Sequence, residues 1–252
     1  MTRDFTLETY KGLCRTISSV QMDCRFIRSL EDTTSSSIIL RHDVDRKPKN
    51  ALRMAKLENN IGIKSTYYFR CVPSSFDPKI IHQISEMGHE IGYHYEVMSR
   101  AKGDIVKAKE LFREDIEELN SICEIRTACM HGSPESRYDN IQFWNHTEMA
   151  SYGIIGEAYH DVAPDFQYYT DTGGKWNSRF NIRDKIKGCN MPYVVNTQTV
   201  VNSLKSGGSC RIYINCHPER WSEDRYEALK YRFTDLGTNL AKSVICRFRG
   251  AK

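Results

Sequence analysis

A chain of 252 residues, 40% apolar and 27% charged, fits one large α/β domain or two small ones and is long enough to bury a substantial core. Its net charge of +4 is mild, and the basic residues are scattered with no Lys/Arg run, which argues against nucleic acid as a partner. No window reaches the apolar length of a membrane span.

The opening residues, Met1 to Glu8, lack the apolar stretch of an export signal. Nine cysteines, an odd number without a Cys-x-x-Cys pair, read as reduced and mostly buried thiols. Both features predict a cytoplasmic protein, and the second disfavours a zinc–thiolate site. Cys129 and Cys216 read as core residues of strands.

Residues 6–20 form the first predicted helix, with Leu7, Tyr10, Leu13, Cys14 and Ile17 on one face, expected to cover one end of the sheet or barrel. A Ser/Thr-rich turn follows at 33–37. The apolar run Ile38-Ile39-Leu40 then predicts a buried strand. Pro48 to Asn60 reads as a helix with Pro in its first turn and Gly62 after its end. Ser65–Phe69 is a second predicted strand. Asp77-Pro78 caps a helix running to Gly88, Glu90–Tyr95 is a third strand, 103–121 a strongly amphipathic helix, and Arg126–Met130 a fourth strand. Residues 151–200 show no steady periodicity. Arg211–Cys216 is again a strand, and 223–243 has a helical pattern. Short strands alternating with helices predict an α/β fold built on a parallel sheet or barrel. No repeat or low-complexity linker divides the chain, so 1–252 reads as a single domain.

Chemistry concentrates at strand ends. Asp43 and Asp45 follow the first apolar run two residues apart, so both side chains of an extended chain aim the same way. Two carboxylates that close call for a cation or a proton between them; the alternative is a polar loop capping the next helix. In Gly88-His89-Glu90-Ile91-Gly92-Tyr93-His94, His89 lies at the helix-to-strand turn, as a structural histidine does. His94 repeats the strand-end position of Asp45, and imidazole with carboxylate suits zinc or another divalent transition metal.

Together these stretches resemble the polysaccharide deacetylases, the NodB-homology group of carbohydrate esterases. His42-Asp43-Val44-Asp45 resembles the family's first motif, in which the first aspartate is the general base and the second binds the metal. Gly88–His94 is similar to the approach to the second motif, whose leading histidine is a metal ligand. Ile214-Asn215-Cys216-His217-Pro218 resembles the last motif, a strand ending in the histidine that acts as general acid. Asp171-Thr-Gly-Gly-Lys-Trp176 is similar to the fourth motif, whose members orient the acid; it reads equally as a Gly-rich turn. The resemblance covers about residues 37–220 and implies a distorted (β/α) barrel of about seven strands.

One departure stands out. The family's second motif has another metal-binding histidine four residues after the first, and here that residue is Met98, whose thioether is a poor ligand for a borderline dication. His131, at the end of the fourth strand, is the best substitute, either as metal ligand or as orienter of Asp43; Glu96 is a weaker one. His131 falls where the family's third motif has an arginine beside the base. The resemblance thus implies a divalent metal, expected to be zinc, on Asp45, His94 and His131, with Asp43 as base and His217 as acid. The expected reaction is removal of an N-acetyl group from a sugar or glycan precursor. Tyr95, Tyr138, Trp176 and Trp221 are candidates to stack on sugar rings, the alternative for most of them being plain core packing. Two other classes compete. The haloacid-dehalogenase phosphotransferases also place Asp-x-Asp after a strand, but their later acidic pair is missing here. A non-catalytic glycan-binding or scaffold barrel is suggested by Met98, and opposed by the presence of Asp43 and His217.

Overall fold

In the computed structural model the apolar runs become neighbouring strands of one parallel sheet. Residues 4–20, 22–27, 37–133, 135–163, 165–177, 181, 183–206, 211–223 and 227 are described. The strands are β1 (Asp23–Arg25), β2 (Ser37–Val44), β3 (Thr66–Phe69), β4 (Glu90–Tyr95), β5 (Thr127–Met130), β6 (Gly156–Glu157), β7 (Phe166–Thr170) and β8 (Arg211–Cys216). Their order is β6-β5-β4-β3-β2-β8-β7, and every pairing is parallel. The short β1 takes Ser37–Ile39 of β2, and β3 takes Arg41–Val44. The seven-stranded run curls through 213° into a half-barrel with helices outside, which is the distorted α/β barrel expected.

Parallel strands need crossovers, and local signals supply them. The helices are α1 (Leu7–Ser19), α2 (Pro48–Ile61), α3 (Pro78–Glu86), α4 (Val97–Arg100), α5 (Ile105–Asn120) and α6 (Thr197–Lys205). Thr6, Asp77 and Asp104 cap α1, α3 and α5 by accepting from backbone N–H groups of the first turn, each worth about 1 kcal/mol. Gly62 ends α2 with φ +85°, a left-handed conformation that costs glycine nothing.

Alternation along β2 separates two layers. Ile38 and Leu40 face outward and pack with Tyr10, Leu13 and Ile17 of α1, with α6, and with Ile212 and Ile214 of β8. Helix α1 therefore covers the outer face of the sheet rather than an end. Ile39 faces the concave side with Tyr68, Cys129, Phe166, Tyr168 and Tyr213. Gly92 of β4 makes this interior possible: a Cβ there would lie 2.2 Å from the Tyr68 ring, which crosses to Thr127 with its hydroxyl at 3.0 Å.

β1, β6, β7 and α6 were not read from the sequence. β6 has two residues and β7 five, too few to show periodicity among their loops. The predicted helix at 223–243 lies outside the described residues save 223 and 227, as does most of the turn at 33–37. Cysteines 14, 71, 123, 129, 189 and 216 are free thiols, with Cys129 and Cys216 buried in their strands. No described helix is long and apolar enough to cross a membrane.

Candidate functional site

Parallel strands bring their carboxyl ends to one rim, where α/β folds collect reactive groups. β2 delivers Asp43 and Asp45, β4 His94, β5 His131, β7 Asp171 and β8 His217. Asp43, Asp45, His94, His131 and His217 line one cavity of about 70 Å³. All five candidate site residues therefore meet, although their elements are spread over 175 positions of the chain.

Three of them form a ligand set. His94 Nε2 lies 3.3 Å and His131 Nε2 3.5 Å from Asp45 Oδ1. Two donors about 2.0 Å from a tetrahedral ion are separated by about 3.3 Å, so the set fits a divalent ion. The other ring nitrogens are engaged elsewhere. His94 Nδ1 donates to the Cys129 carbonyl at 2.9 Å, and His131 Nδ1 contacts Glu96 Oε2 at 2.9 Å. Each contact presents Nε2 to Asp45 and fixes the ring, as outer partners of metal-binding histidines do. Asp45 Oδ1 is buried and has no hydrogen-bond partner among the described residues. Burial opposes its ionisation, but His131, His94 and His217 outweigh it and hold the carboxyl well below the usual range.

Glu96 is thus not a ligand here but the carboxylate behind one. Arg70 clamps it (Nη2 to Oε1, 2.6 Å) and donates to the Asp45 carbonyl at 3.0 Å. Burial works against ionisation of Glu96, and His131 with Arg70 reverses this, lowering its pKa to about 2. Met98 packs at 6% exposure in the apolar cluster with Val97, Ala101 and Phe112, away from the cavity wall.

Asp43, Cys129 and His94 also lie close together. This set is the poorer metal site, because burial pushes the Cys129 thiol up and a ligand must be thiolate. The Asp43 carboxylate is moreover already supplied with donors. Arg41 Nε lies 3.0 Å from Oδ1, its Nη2 donates to Oδ2 at 3.1 Å, and Asn215 Nδ2 donates to Oδ2 at 2.9 Å. Arg41 is fully buried on the concave face, held by the hydroxyls of Tyr213, Tyr159 and Tyr168 at 2.8, 2.8 and 3.1 Å. The two aspartates thus differ in kind: Asp43 is fixed by donors, and Asp45 faces two imidazoles.

At the opposite wall, His217 Nδ1 lies 2.6 Å from Asp171 Oδ1. Asp171 also accepts the His217 backbone N–H and the Trp221 indole N–H at 2.9 Å. Burial and Arg220 disfavour the imidazolium, but Asp171 outweighs them, and the pKa of His217 rises to about 9. The stretch that read equally as a Gly-rich turn therefore does carry the orienter of His217.

His42, between these groups in sequence, points the other way. Its Nε2 lies 2.8 Å from Glu58 Oε1 in a sealed cluster with Tyr10, Ser65 and His89. His89 accepts the Ser65 N–H at 3.2 Å through Nδ1 and donates to the Ala55 carbonyl through Nε2, the structural role its position suggested. For three of the four candidate stacking aromatics the packing alternative holds. Tyr95, Trp176 and Trp221 are buried among other rings, drawn inward by their large apolar area. The aromatic at the cavity is Tyr159, and Asn181, Arg183, Asp184 and Arg220 are also part of its wall. Four of these five come from or border the aperiodic segment, where nothing in the sequence marked them. Arg41 did leave a signal: an arginine alternating with Asp43 inside an apolar strand. No protein-family model and no curated protein sequence matches the chain.

Proposed function

We propose that the protein is a metal-dependent hydrolase that removes the acyl group from an N-acylated sugar or glycan precursor. The observation that carries this reading is the juxtaposition, in one cavity, of Asp45, His94 and His131 with a donor-fixed carboxylate, Asp43, and a protonated imidazole, His217. A divalent ion there, with zinc favoured by the two-imidazole, one-carboxylate set, supplies charge that polarises the amide carbonyl and eases ionisation of water.

The remaining steps fall to the chain's own residues. Asp43, held by Arg41 and Asn215, takes the proton of the attacking water. In the resembling family an arginine on the fourth strand stands beside the base; Arg41, two residues before Asp43 on the same strand, supplies that guanidinium here. His217 gives its proton to the departing amine, which is too basic to leave unprotonated. The Asp171 carboxylate favours the protonated ring, holding its pKa at about 9 in the metal-free protein. Asp171 holds the ring in the orientation that leaves Nε2 for the substrate. His131 supports the catalytic reading over a scaffold one, because it offers the ligand that Met98 does not.

The test is metal content and turnover together. Asp43→Asn is expected to keep stoichiometric zinc and lose at least about a hundredfold in kcat on an N-acetylated oligosaccharide. Near-wild-type turnover in that variant, or a wild-type protein that takes up no divalent metal, defeats the proposal.

A further inference from the structure

Asn181 is 2% exposed, lines the cavity, and has no part in the scheme above. Its Nδ2 donates to the backbone carbonyl of Asp184. A carbonyl oxygen only accepts, so the side-chain amide cannot be turned around, and Oδ1 is the end left to accept a bond. That oxygen is buried and has no hydrogen-bond partner among the described residues. A buried acceptor without a donor is costly, and a ligand donor relieves that cost.

The neighbouring acceptors are already served. Asp184 receives the hydroxyls of Thr170, Thr172, Tyr159 and Tyr168, and Asp43 receives Arg41 and Asn215. Asp45 Oδ1 shares the lack of a donor but faces two imidazoles, the surroundings of a cation. Asn181 is uncharged, so its oxygen calls for an N–H or O–H. Asn181 lines the same cavity as Asp43, His94, His131 and His217, the residues that act on the scissile amide in the scheme above. The donor that a substrate brings there together with its scissile bond is the amide N–H.

We infer that Asn181 Oδ1 accepts the N–H of the scissile amide and so makes the cavity selective for N-acyl over O-acyl substrates. The inference rests on the deacylase reading. An ester places an oxygen lone pair against Oδ1, leaving the buried acceptor unserved, which is how a polar site rejects an analogue lacking its donor. The contact outlasts bond cleavage, because the nitrogen that receives the His217 proton remains a donor.

The probes are N-methylacetamide and methyl acetate, which differ by N–H for O, titrated by NMR into protein dialysed against zinc. Wild type is expected to bind the amide at least about tenfold more tightly. Asn181→Ala reduces that preference at least about fivefold. An unchanged amide-to-ester ratio in folded Asn181→Ala, or no amide preference in wild type, overturns the inference. Should N-acetyl sugar hydrolysis still require Asp43 in that case, the deacylase reading stands alone. If wild type takes up no metal and hydrolyses no N-acyl sugar, that reading falls, and the binding ratio still reports on Asn181.

Discussion

Replacing Asp171 by asparagine isolates the electrostatics of His217. The carboxylate sits 2.6 Å from His217 Nδ1 in a fully buried setting, where burial and Arg220 both oppose a charged imidazole. Against them Asp171 lifts the pKa from 6.5 to about 9. A difference of about 2.5 units is about 3 kcal/mol. At pH 7.5 it separates a ring about 97% protonated from one about 10% protonated. Asp171→Asn is therefore expected to bring the titration of His217 to about 6.5 or below. A raised imidazole pKa stabilises the fold fully below the unfolded value of 6.5, and that contribution disappears as pH rises through about 9. Wild type should thus lose about 3 kcal/mol of unfolding free energy across this window, and the variant should not. Two assays read the effect: NMR titration of the imidazole, and urea unfolding on either side of the window. Both use metal-free protein, since a dication at Asp45 repels the imidazolium and pulls the titration down. A wild-type His217 titrating near 6.5, or a variant still titrating near 9, refutes the reasoning.

Removing His94 or His131 as alanine should abolish stoichiometric zinc without unfolding the domain; adding Met98→His to His131→Ala should not restore it, because that side chain packs in the apolar layer. Metal analysis that finds rescue contradicts the geometry. Gly92→Ala should cost about 1–3 kcal/mol in urea unfolding, since the new methyl meets the Tyr68 ring, and the same change should cost less when made in a Tyr68→Ala background. Burial opposes ionisation of Glu58, but His42, His89 and Ser65 outweigh it and lower its pKa from 4.5 to about 2. Its stabilisation is present above 4.5 and lost as pH falls through about 2, so Glu58→Gln should cost about 3 kcal/mol at neutral pH and flatten the acid side of the stability profile.

The half of the fold that could be read in advance is the half whose strands are long enough to show a pattern. Ile38-Ile39-Leu40 and the aromatic run before Arg70 are apolar on both faces, as buried parallel strands are, and the capped helices between them are bounded by Asp77, Asp104 and Gly62. The convergence of Asp43, Asp45, His94, His131 and His217 followed because each stands at the end of such a strand. What escaped depends on the third dimension. Asp184 and Asn181 lie outside the helices and strands, where no periodicity marks a residue for burial. Glu96 changed role because the chain turns into α4 immediately after it, so it lies behind His131 rather than beside His94. The aromatics Trp176 and Trp221 were judged by type, whereas neighbours decide whether a ring faces a sugar or a core.

The position of β8 has a consequence for biosynthesis. Ser37 of β2 pairs with Arg211 of β8, 174 positions later (211 − 37). A ribosome adding about 5–20 residues per second takes roughly 10–35 s to cover that distance. Throughout that interval the β8-facing edge of β2, with Ile38-Ile39-Leu40 at its centre, has no strand to pair with, and an unpaired apolar edge is a template for misassociation. The last described strand to emerge also brings Asn215 and, just after it, His217. The nascent chain therefore closes this edge and completes the cavity in the same event, and β8 is where a chaperone's hold on this protein should end.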